Sequence, residues 1–69
     1  MNKGTCKFWN SNRGFGFIRQ ENGDPDIFVH ASSLANGRTE LVIGDEVEFN
    51  VASDVRTGKP IAAEVKVIG

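Results

Sequence analysis

The sequence predicts an all-β fold of five short antiparallel strands closed into a small barrel, and three observations carry that prediction. Apolar residues recur at the strand period of two in several separate runs rather than at the helical period. Clusters of Gly, Asn, Asp and Pro interrupt these runs at short intervals. Nowhere in the 69 residues is there an amphipathic helix of useful length. At that length one domain is expected, spanning residues 1–69, too small for two complete layers or for a catalytic cleft of ordinary size.

The first strand is expected over Gly4-Thr5-Cys6-Lys7-Phe8-Trp9-Asn10, strand-prone through its Thr, Phe and Trp. Strict alternation groups Cys6 with Phe8 and Lys7 with Trp9, so only one of the two rings joins an outer face unless a bulge intervenes. Asn10-Ser11-Asn12-Arg13-Gly14 is turn chemistry and joins this strand to a second as a hairpin. The second strand, Phe15 to Arg19, ends before Asn22-Gly23-Asp24-Pro25, where Asn-Gly signals a turn and the proline stops the ladder. Asp26-Ile27-Phe28-Val29-His30 forms the third. From Ala31 to Gly44 periodicity fails; one helical turn is expected at Ser32-Ser33-Leu34, then an irregular loop of the kind that often rims a ligand site. Residues 45–51 alternate again, placing Val47, Phe49 and Val51 inward with Glu46, Glu48 and Asn50 outward. Thr57-Gly58-Lys59-Pro60 turns the chain into a last alternating strand, Ile61 to Val67. Five such strands with Gly-containing turns close best as a barrel of the oligonucleotide-binding type.

Two of these strands carry an unusual device. In Arg13-Gly14-Phe15-Gly16-Phe17-Ile18-Arg19 the period of two puts Phe15 and Phe17 on one face and leaves Gly14, Gly16 and Ile18 on the other. In the third strand Phe28 and His30 share a face while Ile27 and Val29 point to the opposite one. Phenylalanine in a strand is commonly core. Here Ile18, Ile27 and Val29 already supply an apolar face, and a chain this short cannot cover both sides of the sheet. The row Phe15, Phe17, Phe28 and His30 is therefore expected to meet water, and a water-facing row of rings calls for a ligand. Flanked by Arg13 and Arg19, these rings have the chemistry that binds unstacked nucleobases.

The net charge of −1 excludes the strongly basic domains that hold nucleic acid mainly by its phosphates, but the charges are segregated. Residues 1–20 carry +4 and residues 21–48 carry −6, so the positive charge lies with the aromatics. Cys6 is the only cysteine, which excludes an internal disulfide and a paired-cysteine metal motif, and its expected role is a small buried hydrophobe. No run approaches the ~20 apolar residues of a membrane helix. No signal-peptide pattern opens the chain, so a cytoplasmic location is expected.

Lys7-Phe8-Trp9-Asn10, then Gly14-Phe15-Gly16-Phe17-Ile18, then Asp26-Ile27-Phe28-Val29-His30, in this order and at these separations, resemble the bacterial cold-shock proteins. The resemblance runs over essentially the whole chain, including Gly44-Asp45-Glu46-Val47-Glu48-Phe49. The Gly-Phe-Gly-Phe core also fits an RNA-recognition motif, but that fold needs two helices that this chain does not supply. The resemblance implies a five-stranded barrel binding single-stranded RNA and DNA with low sequence selectivity, often as an RNA chaperone. It implies binding roles for Lys7, Phe8, Arg13, Phe15, Phe17, Phe28 and His30, to which Trp9 and Lys59 are added as candidates. The chain departs from the family pattern in three places. It reads Phe8-Trp9 where Trp-Phe is usual, Ala31 follows the histidine where an aromatic is common, and the loop near Arg38 and Thr39 lacks a phenylalanine.

No enzyme, cofactor, metal, small-molecule substrate or membrane partner is expected, and the protein is expected to act as a monomer. His30 is the only histidine, and Asp24 and Asp26 sit in a turn. A protein-interaction barrel that docks a partner on the same aromatic face is the alternative reading.

Overall fold

The computed structural model describes residues 1–69. Its strands are β1 (Asn2–Asn10), β2 (Phe15–Gln20), β3 (Ile27–His30), β4 (Glu46–Ser53) and β5 (Pro60–Val67), with one 3₁₀ turn at Ala31–Ser33. They close in the order β1-β2-β3-β5-β4. The fold class expected from the sequence is the one observed. All neighbours pair antiparallel except along the seam that closes the barrel, where β3 meets β5 in parallel through Phe28 and Ile61. That seam is continued by a parallel bridge between Leu34 and Val65.

Closure leaves one interior, and it is apolar throughout. Cys6, Ile18, Ile27, Val29, Leu41, Val47, Phe49, Ala62 and Val65 form the core, with no buried charged or polar residue among them. Phe49 is its largest fully buried side chain, as the alternation of β4 predicts. Leu41 enters from the irregular 34–45 loop, which therefore acts as a plug on the barrel interior. The plug is pinned: the Gly44 and Cys6 amides bond to the carbonyls of Cys6 and Asp45, and the Ala35 amide donates to Val65 at 2.8 Å.

Three local expectations are corrected. Val51 was expected inward but is 49% exposed. It lies beyond the closed part of the barrel, lining a shallow cleft with Pro25 and Pro60. The alternation read in the last strand also breaks. β5 buries Ala62 and Val65, three residues apart, because Glu64 takes φ 51° and the pairing with β4 shifts register between Glu48 and Asn50. The helical turn falls one residue early, over Ala31–Ser33, with His30 as its cap.

Burial also decides the chemistry of Cys6. Desolvation pushes its thiol above the ordinary value of 9.0, outweighing the hydrogen bond to the Phe8 carbonyl. With the folded-state value raised, the neutral thiol's contribution to stability is complete below about 9 and is lost as pH climbs through the folded value. Urea melts at pH 8 and pH 10 should show an alkaline decline that is smaller in Cys6→Ala. An equal decline in both proteins would assign it elsewhere.

Candidate nucleic-acid interface

The outer face of β2 and β3 is built by register. Phe15 lies opposite His30, Phe17 opposite Phe28, and the inward residues Gly16 and Ile18 lie opposite Val29 and Ile27. Inward residues are buried while Phe17 and His30 are exposed and Phe15 and Phe28 are half-exposed. The four residues expected to share a water-facing row do share it.

β1 adds a fifth ring through a bulge. Cys6 pairs with Ile18 but Phe8 pairs with Phe17, so Lys7 is an extra residue on β1 and the alternation resets after it. Cys6 stays inward, Lys7 and Phe8 both face out, and Trp9 turns to the core. This settles which ring of the Phe-Trp pair joins the row: Phe8 is 43% exposed, whereas the Trp9 indole packs against the core with its Nε1 buried and without an acceptor. Trp9, counted among the binding candidates, is thereby placed beneath the face instead of on it. Gly16 makes room for it, since a Cβ there would come within 2.7 Å of Trp9 Cε3.

The rings form one connected cluster. Phe17 and Phe28 lie 5.9 Å apart and 39° from parallel. Phe15 stands edge-on to both, at 6.4 Å from Phe17 and 5.7 Å from Phe28. Phe8 joins Phe15 at 6.3 Å. Edge-to-face contacts of this kind hold ring orientations that isolated exposed phenylalanines would not keep. His30 is fixed at the end of the row: the Ser32 amide donates to its Nδ1 at 3.1 Å, which puts the neutral ring's proton on the outward Nε2.

Cations border the rings on three sides. Arg13, in the β1–β2 turn, holds its guanidinium 5.9 Å from the Phe15 centroid, and Asn10 Oδ1 fixes that turn by accepting from the Asn12 and Arg13 amides. Lys7 bonds Asp26 at 2.8 Å. Lys59 lies with Arg56, Asp54 and Pro60 in an open cleft of about 410 Å³ that begins at Phe17 and Phe28. Arg56 escaped the sequence reading, and Asp26, read there as a turn residue, holds Lys7 instead. Only the parallel β3/β5 seam brings the turn before β5 beside Phe28, and no local pattern announces that neighbour. The 34–45 loop, expected as a rim, does not border the rings themselves: its hydrogen bonds tie it to Cys6 of β1 and Val65 of β5.

A closed five-stranded barrel with an exposed row of aromatic rings edged by cations defines a nucleic-acid-binding barrel of the oligonucleotide-binding class. The chain belongs to the cold-shock domain family: a model of the "cold-shock" DNA-binding domain matches residues 2–68. It is similar to cold shock protein CspA of Rhizobium meliloti, 42% identical over 67 residues covering 96% of this chain and 97% of that one. Similarity extends to cold shock-like protein CspE of Escherichia coli, 42% identical with 91% and 90% covered. Cold shock protein CspC of Bacillus subtilis is 46% identical, with 81% and 85% covered.

Proposed function

We propose that this protein binds single-stranded RNA and DNA by stacking unpaired bases on Phe8, Phe15, Phe17, Phe28 and His30, with Lys7, Arg13 and Lys59 beside the phosphates. The observation that carries the reading is the complete apolar core behind the rings, which leaves the rings no structural task inside the barrel. A π surface accepts any base, so selectivity among sequences is low. Binding the unpaired strand draws duplex segments open by mass action, without ATP, so the protein acts as an RNA chaperone. Its relatives are named cold shock proteins, which supports a role in the response to stress. The protein works as a non-catalytic monomer in the cytoplasm, as one domain over residues 1–69, with Trp9 supporting Phe8 from beneath. No helix is long and apolar enough to cross a membrane.

Anisotropy titrations with labelled oligothymidylate, its RNA counterpart and a matched duplex test the reading. Both single strands should bind and the duplex should not. Failure of every single strand would instead favour a barrel that docks a protein partner.

Salt separates stacking from charge. Three cations, Lys7, Arg13 and Lys59, are assigned to phosphates, and at ~0.7 in log–log slope per phosphate on single strands a short ligand should show a slope near two in magnitude. Lys7 already pairs with Asp26, which keeps the value from rising higher. A slope on the order of five would mean that phosphate contacts dominate.

Ala31 tests the length of the row. Its amide donates to the Gly14 carbonyl at 2.8 Å, and the half-buried methyl sits at the end of β3 beside His30. Ala31→Phe should add a platform there and tighten a long oligothymidylate by up to ~1–3 kcal/mol, with no gain for a ligand too short to reach it. Equal gains for both lengths, or none for the long one, would contradict a shortened row. A ring forced inward would appear instead as a stability loss of ~1–3 kcal/mol.

A further inference from the structure

The outward face of β1 and β2 does not stop at the rings. Beyond the Phe8/Phe17 pair comes the Lys7 bulge, and beyond that Thr5 lies opposite Arg19. These residues floor an open cleft of about 490 Å³, walled on one side by Ile43 and Gly44 and bounded at its far end by Glu21. Arg19 is two residues from Phe17 on the same strand face, a step of roughly 6.8 Å. Its guanidinium has no carboxylate within salt-bridge distance, the only ion pairs in the molecule being Lys7–Asp26 and Arg38–Asp45.

Ile43 is 65% exposed and is held that way. The turn that carries it is tied at both ends: the Asp45 carboxylate accepts from the Val42 amide at 2.9 Å, the Asp45 amide returns to the Val42 carbonyl, and the Gly44 amide bonds the Cys6 carbonyl. Arg38 reaches the same carboxylate at 3.6 Å. An aliphatic side chain fixed in water beside an unpaired arginine, in line with a row of base-stacking rings, is an amphipathic seat. One side suits the flat apolar surface of a base or sugar, the other a phosphate.

We propose that this cleft is an additional nucleotide subsite, in which the strand leaving Phe8 and Phe17 places one phosphate on Arg19 and packs the attached nucleoside against Ile43. The proposal rests on the single-strand reading above and extends its path. Lys7, at the boundary between the ring row and the cleft, marks the crossing, and the carboxylate of Glu21 ends the path by repelling the next phosphate. The row is short at His30, where Ala31 offers only a methyl group, so the footprint is displaced along the sheet toward β1.

The test compares a short oligothymidylate that covers the rings alone with one a few nucleotides longer, titrated against the wild type, Arg19→Gln and Ile43→Ser. Arg19→Gln should weaken the long ligand about three- to tenfold and lower its salt slope by about 0.7, leaving the short ligand unchanged. Ile43→Ser should weaken the long ligand with its slope intact. Both residues are exposed, so thermal melts should match the wild type. An Arg19→Gln effect that is absent, or equal for the two lengths, overturns the subsite. Short-ligand binding by the wild type reports on the rings alone: if it persists, only the subsite has failed, whereas its loss removes the single-strand reading as well.

Discussion

Gly16→Ala should cost at least ~3 kcal/mol, the upper part of the range for overpacking a tight site, and should disturb binding and stability together. The added Cβ would meet the Phe8 carbonyl and stand 2.7 Å from Trp9 Cε3. The first of these is backbone in a paired strand and cannot swing away, because Trp9 and Gly16 are register partners in the β1/β2 ladder. Relief requires β1 to lift from β2 at the point where the Phe8 ring and the Trp9 ring are sorted to opposite faces. For a 69-residue chain, at ~0.05–0.15 kcal/mol per residue, total stability is only about 3–10 kcal/mol. The variant should therefore lose about a third or more of its stability and, at the low end of that range, be partly unfolded at room temperature. Gly37→Ala is the control: its Cβ meets nothing within 4 Å, and its positive φ costs only ~1–2 kcal/mol. Comparable urea midpoints for the two variants would show that crowding at Gly16 is not what the glycine relieves.

The double variant Phe17→Ala/Phe28→Ala should lose ~2–6 kcal/mol of single-strand affinity if each ring carries its own base, at ~1–3 kcal/mol per stacked base. The two rings are direct cross-strand partners 5.9 Å apart, so their separate losses need not add, and the single variants should be measured beside the double one. Stability should change less, because no cavity opens, the core lying on the other face. The contacts forfeited are three surface ring pairs, Phe17 with Phe28 and each of them with Phe15, at ~0.5–1.5 kcal/mol apiece. Val29→Ala, next to Phe28 in β3 but fully buried, should show the reverse pattern: lower stability with affinity per folded molecule retained. If the double variant melts like a core mutant, or binds as tightly as the wild type once folded fractions are matched, the rings are structural and the proposed face is wrong.

The face of Phe15, Phe17, Phe28 and His30 was legible in the sequence because a strand's period of two is a local property. Once Gly16, Ile18, Ile27 and Val29 are assigned inward, covalent geometry places the rings outward without reference to any distant residue. The turns at Asn10–Gly14 and Asn22–Asp24 were legible for the same reason, since the Asn10 and Asn22 side chains satisfy amides two or three residues ahead. Phe49 followed from alternation in β4.

Only the tertiary structure decided what depends on register between strands. The Lys7 bulge is a mismatch between β1 and β2, so neither strand alone reveals that Phe8 faces out and Trp9 in. Val51 alternates correctly but runs past the end of the barrel, and Glu64 interrupts β5 to keep its pairing with β4. Closing the seam between β3 and β5 brought Arg56 and Lys59 to Phe28, and pinning the 42–45 turn onto β1 set Ile43 beside Arg19. Side-chain direction is written by the local backbone, whereas the neighbours a side chain meets depend on loop closures that bring together residues far apart in the chain.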